Sequence, residues 1–173
     1  MNVRTVEPGG FQAQNSWLSI GWSVGAATGG ALAGRRRPRV FVGDGAFQET
    51  CQEMSTHVRH RLDTVVFVLD NEAFYGIEQM LVNPCWFKER PSNGADFYNV
   101  LHPWSYEKLA GVLGTDKTPM TGVSVGTHSE LESLLGTIPD PDSPVNHGPL
   151  LVRVQLSRHD YPKALSYNLA DCP

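Results

Sequence analysis

The sequence predicts an α/β domain in three layers, a mainly parallel sheet with helices on both faces, formed as a single unit over residues 1–173. Three observations carry that reading. Two short apolar runs, Arg39-Val40-Phe41-Val42 and Thr64-Val65-Val66-Phe67-Val68-Leu69, have the length and β-branched content of buried strands. Between them Phe47, Cys51, Met54 and Val58 recur at steps of four, three and four, one face of an amphipathic helix. Strand, helix and strand in that order imply a right-handed crossover and parallel pairing.

The other elements follow along the chain. Residues 19–34 read as a helix despite glycines at 21, 25, 29, 30 and 34. Each glycine costs a helix about 1 kcal/mol against alanine, so close packing has to compensate, and a flexible loop is the competing reading. The run Gly34-Arg35-Arg36-Arg37-Pro38-Arg39 is a basic connection. With a formal net charge of −4 and no interleaved aromatics, it reads as a solvated turn rather than a nucleic-acid patch. The strand beginning at Thr64 is apolar almost throughout, as expected when both faces are covered. Residues 79–82 finish a short helix that Asn83-Pro84 ends. Residues 85–103 mix proline, glycine and polar residues with scattered aromatics, a long excursion suited to a loop over an active site. Trp86, Phe87, Phe97 and Trp104 either line a pocket for an aromatic side chain or form local core. A helix over residues 105–113 turns Tyr106, Leu109, Ala110 and Leu113 inward, with Gly114 as its cap. Residues 120–125 read as a strand, 130–135 as a helix started near Thr127, 139–149 as a proline-rich loop and 149–156 as the last strand.

Parallel pairing puts the carboxyl ends of the two apolar strands on one edge of the sheet, the usual ligand crevice of this fold class. Asp44, within Gly43-Asp44-Gly45, and Asn71, twenty-seven residues after it, both emerge there. A carboxylate, an amide oxygen and a nearby main-chain carbonyl are hard oxygen donors of the kind Mg2+ or Ca2+ takes, with positions left for phosphate oxygens and water. Gly43 and Gly45 allow close approach of backbone N–H groups to an anion, and the following helix turns its positive end toward it. Taken alone, the tripeptide also suits a turn or a helix cap. The spacing to Asp70-Asn71 and the strand context favour a binding site.

Gly43-Asp44-Gly45, the following Gln48, Thr50, Gln52-Glu53 and Ser55-Thr56, and Asn71 resemble the cofactor motif of the thiamine-diphosphate enzymes that decarboxylate 2-oxo acids, above all pyruvate and indolepyruvate or phenylpyruvate decarboxylases. Trp17-Leu18-Ser19-Ile20-Gly21-Trp22 is similar to the segment that opens a small-residue helix beside the cofactor in that family. Tyr75-Gly76-Ile77-Glu78 is similar to the stretch after its metal loop. The resemblance runs, with gaps, from Phe11 to Asp160-Tyr161-Pro162.

That resemblance implies the thiamine-diphosphate-binding fold, here without its first strand and helix, and thiamine diphosphate and Mg2+ as cofactors. It implies Asp44 and Asn71 as side-chain ligands of the metal. The carbonyl of Ala73 is the third protein ligand, or that of Phe74 if one extra loop residue shifts the register. Gly45 and Ala46 would offer main-chain N–H groups to the diphosphate. Tyr75, Gly76 and Ile77 would adjoin the cofactor, and Glu78 matches the carboxylate that faces the reacting carbon and assists decarboxylation or product protonation. The chain departs from the family at Asp70-Asn71, where Asn-Asn is frequent, and at Ala46, where a serine or threonine is usual.

The resemblance further implies a 2-oxo acid substrate, assembly into an oligomer, and a pyrimidine-binding domain or subunit whose glutamate activates the cofactor. The family's enzymes have about three domains of this size. The chain is therefore expected to be inactive alone, as a piece of a longer reading frame rather than a subunit of a split enzyme. Two alternatives remain: the cofactor domain of an acetolactate synthase-like carboligase, and a non-catalytic binding subunit or remnant.

The six histidines show no metal-ligand spacing and are expected at the surface. Three cysteines without a framework, Cys51, Cys85 and Cys172, suggest reduced thiols. No stretch is apolar enough to span a membrane and the start lacks a signal peptide's apolar core, so the expected location is the cytoplasm, without membrane or nucleic-acid partners.

Overall fold

In a computed structural model, which describes residues 9–34, 37–82, 85, 99–158 and 160, the chain forms an open, all-parallel sheet. Its described strands are β1 (Arg39–Gly43), β2 (Val65–Asp70), β3 (Thr121–Val125) and β4 (Leu150–Gln155), in the spatial order β1-β2-β4-β3. Central β2 pairs on both sides, and Val65 to Val68 are all buried. Its alternating side chains feed two cores, as the period of a strand requires.

On one face Val66 and Val68 pack with Val40, Val42 and Leu151 under a layer of helices. That layer comprises α1 (Trp22–Ala33), α2 (Asp44–Thr50), α3 (Glu53–Arg59), a 3-10 turn (Tyr106–Lys108) and, beyond α4 (Gly76–Val82), α5 (Leu109–Leu113). On the other face Val65, Phe67, Leu150 and Val152 pack with Leu134 of α6 (His128–Thr137) and with Ile138 and Val145. The three-layer expectation therefore holds. β1 lies at one edge of the described sheet, where Phe41, 65% exposed, stacks at 5.1 Å on its register partner Phe67.

Several boundaries differ from the sequence reading. The single helix expected through Phe47 and Val58 is two helices, because Met54 and Ser55 donate to the carbonyls of Cys51 and Gln52, three residues back, and tighten the turn. The apolar stripe survives, since Phe47, Met54 and Val58 stay buried. The helix expected at residues 105–113 likewise begins as a 3-10 turn. Thr127 starts α6 through a capping box: Glu130 N–H donates to its hydroxyl at 3.2 Å, and Thr127 N–H donates to the Glu130 carboxylate at 3.0 Å.

α1 is held at its start by close approach. Gly21 has φ +77°, and a Cβ there would lie 2.8 Å from the Ala46 carbonyl and 2.5 Å from the Thr50 methyl. Only glycine accepts both the left-handed conformation and that contact.

Three side-chain expectations are corrected. Arg37 is not part of a solvated turn: its guanidinium donates to the carbonyls of Val145 at 2.9 Å and Gly148 at 3.1 Å, tying the connection before β1 to the one before β4. His57 is not at the surface but fully buried, its ring nitrogens 3.0 Å from the Thr28 hydroxyl and 2.9 Å from that of Thr64. Cys51 is free and half-buried, as expected, but Cys85 is disulfide-bonded, which corrects the expectation of a reduced thiol there; three cysteines leave room for one pairing. Trp104 packs against the core beside Tyr106, with ring centroids 6.1 Å apart, whereas Trp86, Phe87, Phe97 and Cys172 lie outside the described residues. Among the described residues no helix is long and apolar enough to cross a membrane.

Candidate functional site

The register of β1 and β2 sets Gly43 beside Leu69, so Asp44 and Asp70 leave the sheet at the same level. Asp44 opens α2 and is only 6% exposed. One of its oxygens accepts from Gly45 N–H at 2.8 Å, and the other accepts from Ala73 N–H at 2.6 Å. The second bond joins the end of β1 to the loop after β2.

That loop is tightly specified. Asn71 Nδ2 donates to the Phe74 carbonyl at 2.9 Å, and Glu72 N–H donates to the Asp70 carboxylate at 2.9 Å. Glu72 and Ala73 take left-handed φ values of 66° and 57°. Such backbone costs a non-glycine residue about 1–2 kcal/mol, which the surrounding bonds must offset. A short antiparallel bridge from Phe74 to Val100 supports it, with Tyr75 N–H donating to the Asn99 carbonyl and Leu101 N–H to the Ala73 carbonyl.

Tyr75 lies across Gly45: a Cβ at position 45 would come within 2.6 Å of the phenol oxygen. Burial raises the pKa of Tyr75, and the charges of Glu49, Asp44 and Glu78 raise it further. The Asp44 carboxyl is raised too, chiefly by burial. The Ala73 and Gly45 N–H groups pull it back down, while a hydrogen bond and repulsion from Asp70 push it up. Asp70 itself is 3% exposed and accepts from Arg153 Nε at 2.5 Å; the same guanidinium lies 3.8 Å from Glu107.

The donor chemistry fits a hard divalent cation. Among the described residues no group of three or more His, Cys, Asp or Glu side chains is placed to hold a metal, so a cation here depends on a mixed oxygen set. Asp44 is a buried carboxylate whose charge is costly where it stands. Because Asn71 uses its nitrogen toward Phe74, its amide oxygen is left as an acceptor. The Ala73 carbonyl accepts from Leu101, with a second lone pair remaining.

The structure thus brings Asp44, Gly45, Ala73 and Tyr75 into contact, with Asn71 on the same loop. Ala46 sits one residue further into α2, half-buried against the core. Gly76, Ile77 and Glu78 form the first turn of α4, where the side chains of Ile77 and Glu78 are exposed. Sequence reasoning gave Asp70 no partner and missed Arg153 and the supporting segment of Asn99 to Leu101. One signal was legible: Arg153 is a lone charge in the apolar run Leu150-Leu151-Val152-Arg153-Val154.

Fold and crevice together define an α/β ligand-binding domain whose site joins two parallel strand ends. The model of the thiamine pyrophosphate enzyme family, C-terminal TPP binding domain, matches residues 1–154, and the chain belongs to that family. It is similar to a pyruvate decarboxylase of Aspergillus fumigatus, 36% identical over 164 residues, which cover 91% of this chain and 26% of that protein. A pyruvate decarboxylase of Aspergillus terreus is 37% identical over 160 residues, covering 88% of this chain and 25% of the relative. A thiamine metabolism regulatory protein of Saccharomyces cerevisiae is 30% identical over 165 residues, covering 88% and 24%. The chain spans about a quarter of the length of these relatives.

Proposed function

We propose that the chain holds the diphosphate of thiamine diphosphate through Mg2+, as one part of a non-oxidative decarboxylase of 2-oxo acids of the pyruvate, indolepyruvate or phenylpyruvate type. The observation that carries this reading is the bond from Ala73 N–H to the buried Asp44 carboxylate, which joins the two motif segments at the crevice. In this reading Asp44 and Asn71 ligate the metal with the carbonyl of Ala73. The main chain of Gly45 and Ala46 faces the diphosphate, and Tyr75, Gly76 and Ile77 adjoin the cofactor. Glu78, in the first turn of α4, moves a proton at the reacting carbon. When bound, the cofactor supplies the electron sink on which a 2-oxo acid loses CO2.

Activity then requires a pyrimidine-binding domain or subunit, in an oligomer, and the cytoplasm is the compartment that suits it. A non-catalytic reading draws on the regulatory protein among the relatives. Calorimetry with thiamine diphosphate and Mg2+, comparing the chain with Asp44→Ala, tests the proposal: the wild type should bind only with the metal present and the variant should not bind. Equal affinities would remove the metal site. Purified alone, the chain should release no CO2 from pyruvate, phenylpyruvate or indolepyruvate; turnover without a partner would contradict the need for a second domain.

A further inference from the structure

We propose that Arg153 is a positioning residue for the metal loop: by holding the Asp70 carboxylate it fixes the Glu72-Ala73 turn against Asp44. The inference rests on the thiamine-diphosphate reading of the site. Strand register supplies the geometry. Val68 of β2 pairs with Arg153 of β4, and Asp70 stands two residues further along β2, on the same face of the sheet. Arg153 therefore reaches diagonally toward the carboxyl edge, where its Nε donates to one Asp70 oxygen at 2.5 Å. The other oxygen accepts from Glu72 N–H at 2.9 Å, so one carboxylate links the guanidinium to the first left-handed residue of the loop. The next residue, Ala73, donates to Asp44.

A counter-charge is needed for a definite reason. Asp70 is buried at the same crevice as a second buried carboxylate, Asp44, with the Glu72-Ala73 turn bonded to both, and two charged groups so placed repel unless a cation compensates one of them. An asparagine at position 70 would bring no charge and need no partner. An aspartate there holds the Glu72 N–H in place only while Arg153 offsets its charge. Glu107, 3.8 Å from the same guanidinium, completes the pairing from the 3-10 turn.

The test is calorimetric titration of the full chain with thiamine diphosphate and Mg2+ for the wild type, Asp44→Ala, Arg153→Gln and the double variant Asp70→Asn/Arg153→Gln. Arg153→Gln is expected to weaken binding about 10- to 100-fold, the usual effect of removing a group that orients a metal ligand. The double variant, which has lost both charges, should return to within about threefold of wild type. If Arg153→Gln does not fold, a double variant that folds and binds supports the proposal equally, because it traces the defect to an unpaired Asp70. Wild-type affinity in Arg153→Gln, or a double variant still about tenfold or more weaker, overturns the proposal. Unchanged binding in Asp44→Ala is a different result: it removes the metal-site reading itself.

Discussion

The two ends of β2 bury polar groups in opposite ways. At the amino end, Thr64, His57 and Thr28 form a chain of neutral groups linking the strand to α3 and α1, each ring nitrogen of His57 facing a hydroxyl. Burial lowers the His57 pKa, against weaker raising effects from the Val24 backbone and Glu53, so the ring stays neutral. At the carboxyl end, two buried carboxylates share a crevice with two left-handed residues and one guanidinium. The first arrangement is closed in itself. The second carries acid in excess of its cation, together with backbone strain, and such features concentrate where a protein binds something.

That contrast can be broken by substitution. The largest loss of stability is expected from His57→Ala, about 2–4 kcal/mol, because it empties a buried site and strands two hydroxyls. Chemical denaturation measures it, and the variant should still bind cofactor once folded. A binding defect as large as that of Asp44→Ala would show that the two ends are not separate. The same residue gives a pH signature. With its folded pKa depressed, His57 contributes stability that is full above its ordinary value of 6.5 and lost as the pH falls through the folded value. Thermal melts below that pH should therefore fall more steeply for the wild type than for His57→Phe.

Gly45→Ala should cost less, about 1–3 kcal/mol, by driving a methyl into the Tyr75 ring. Unlike His57→Ala it should weaken cofactor binding in calorimetry, because it moves Tyr75 and the start of α2. Thr127→Ala, remote from both ends, serves as the control: loss of the capping box should cost about 1 kcal/mol and leave binding unchanged. Asp44→Asn should change stability least, and the sign of its pH dependence is informative. A raised carboxyl contributes stability that is present at low pH and lost as the pH rises through the folded value. The asparagine variant buries no charge but turns an amide nitrogen toward one of the two N–H groups that the carboxylate accepts from, so the two effects oppose and its stability relative to the wild type should be highest near neutral pH and fall in acid, in the absence of cofactor. A relative stability that instead rises in acid would mean that the charged form of Asp44 is held favourably.

Elements decided by local pattern were legible. Val65 to Leu69 announces a doubly covered strand by being apolar throughout, and Thr127 with Glu130 marks a helix start through two side chains three residues apart. The motif residues Asp44 and Asn71 were legible because strand ends and their spacing are properties of the chain itself. Whatever depended on distant partners was not. His57 looks like a surface residue until folding brings Thr28, 29 residues away, to its ring. Arg37 reads as part of a basic turn until it meets carbonyls 108 and 111 residues further on.

The sequence by itself determined the fold class, the order of strands and helices along the chain and the two strand ends that carry the candidate site, because hydropathy period and glycine placement act over a few residues. Only the tertiary structure decided how the buried charges are balanced. Asp70 and Arg153 stand 83 positions apart and become partners through the pairing of β2 with β4, and a burial cost of that kind exists only once the strands have met.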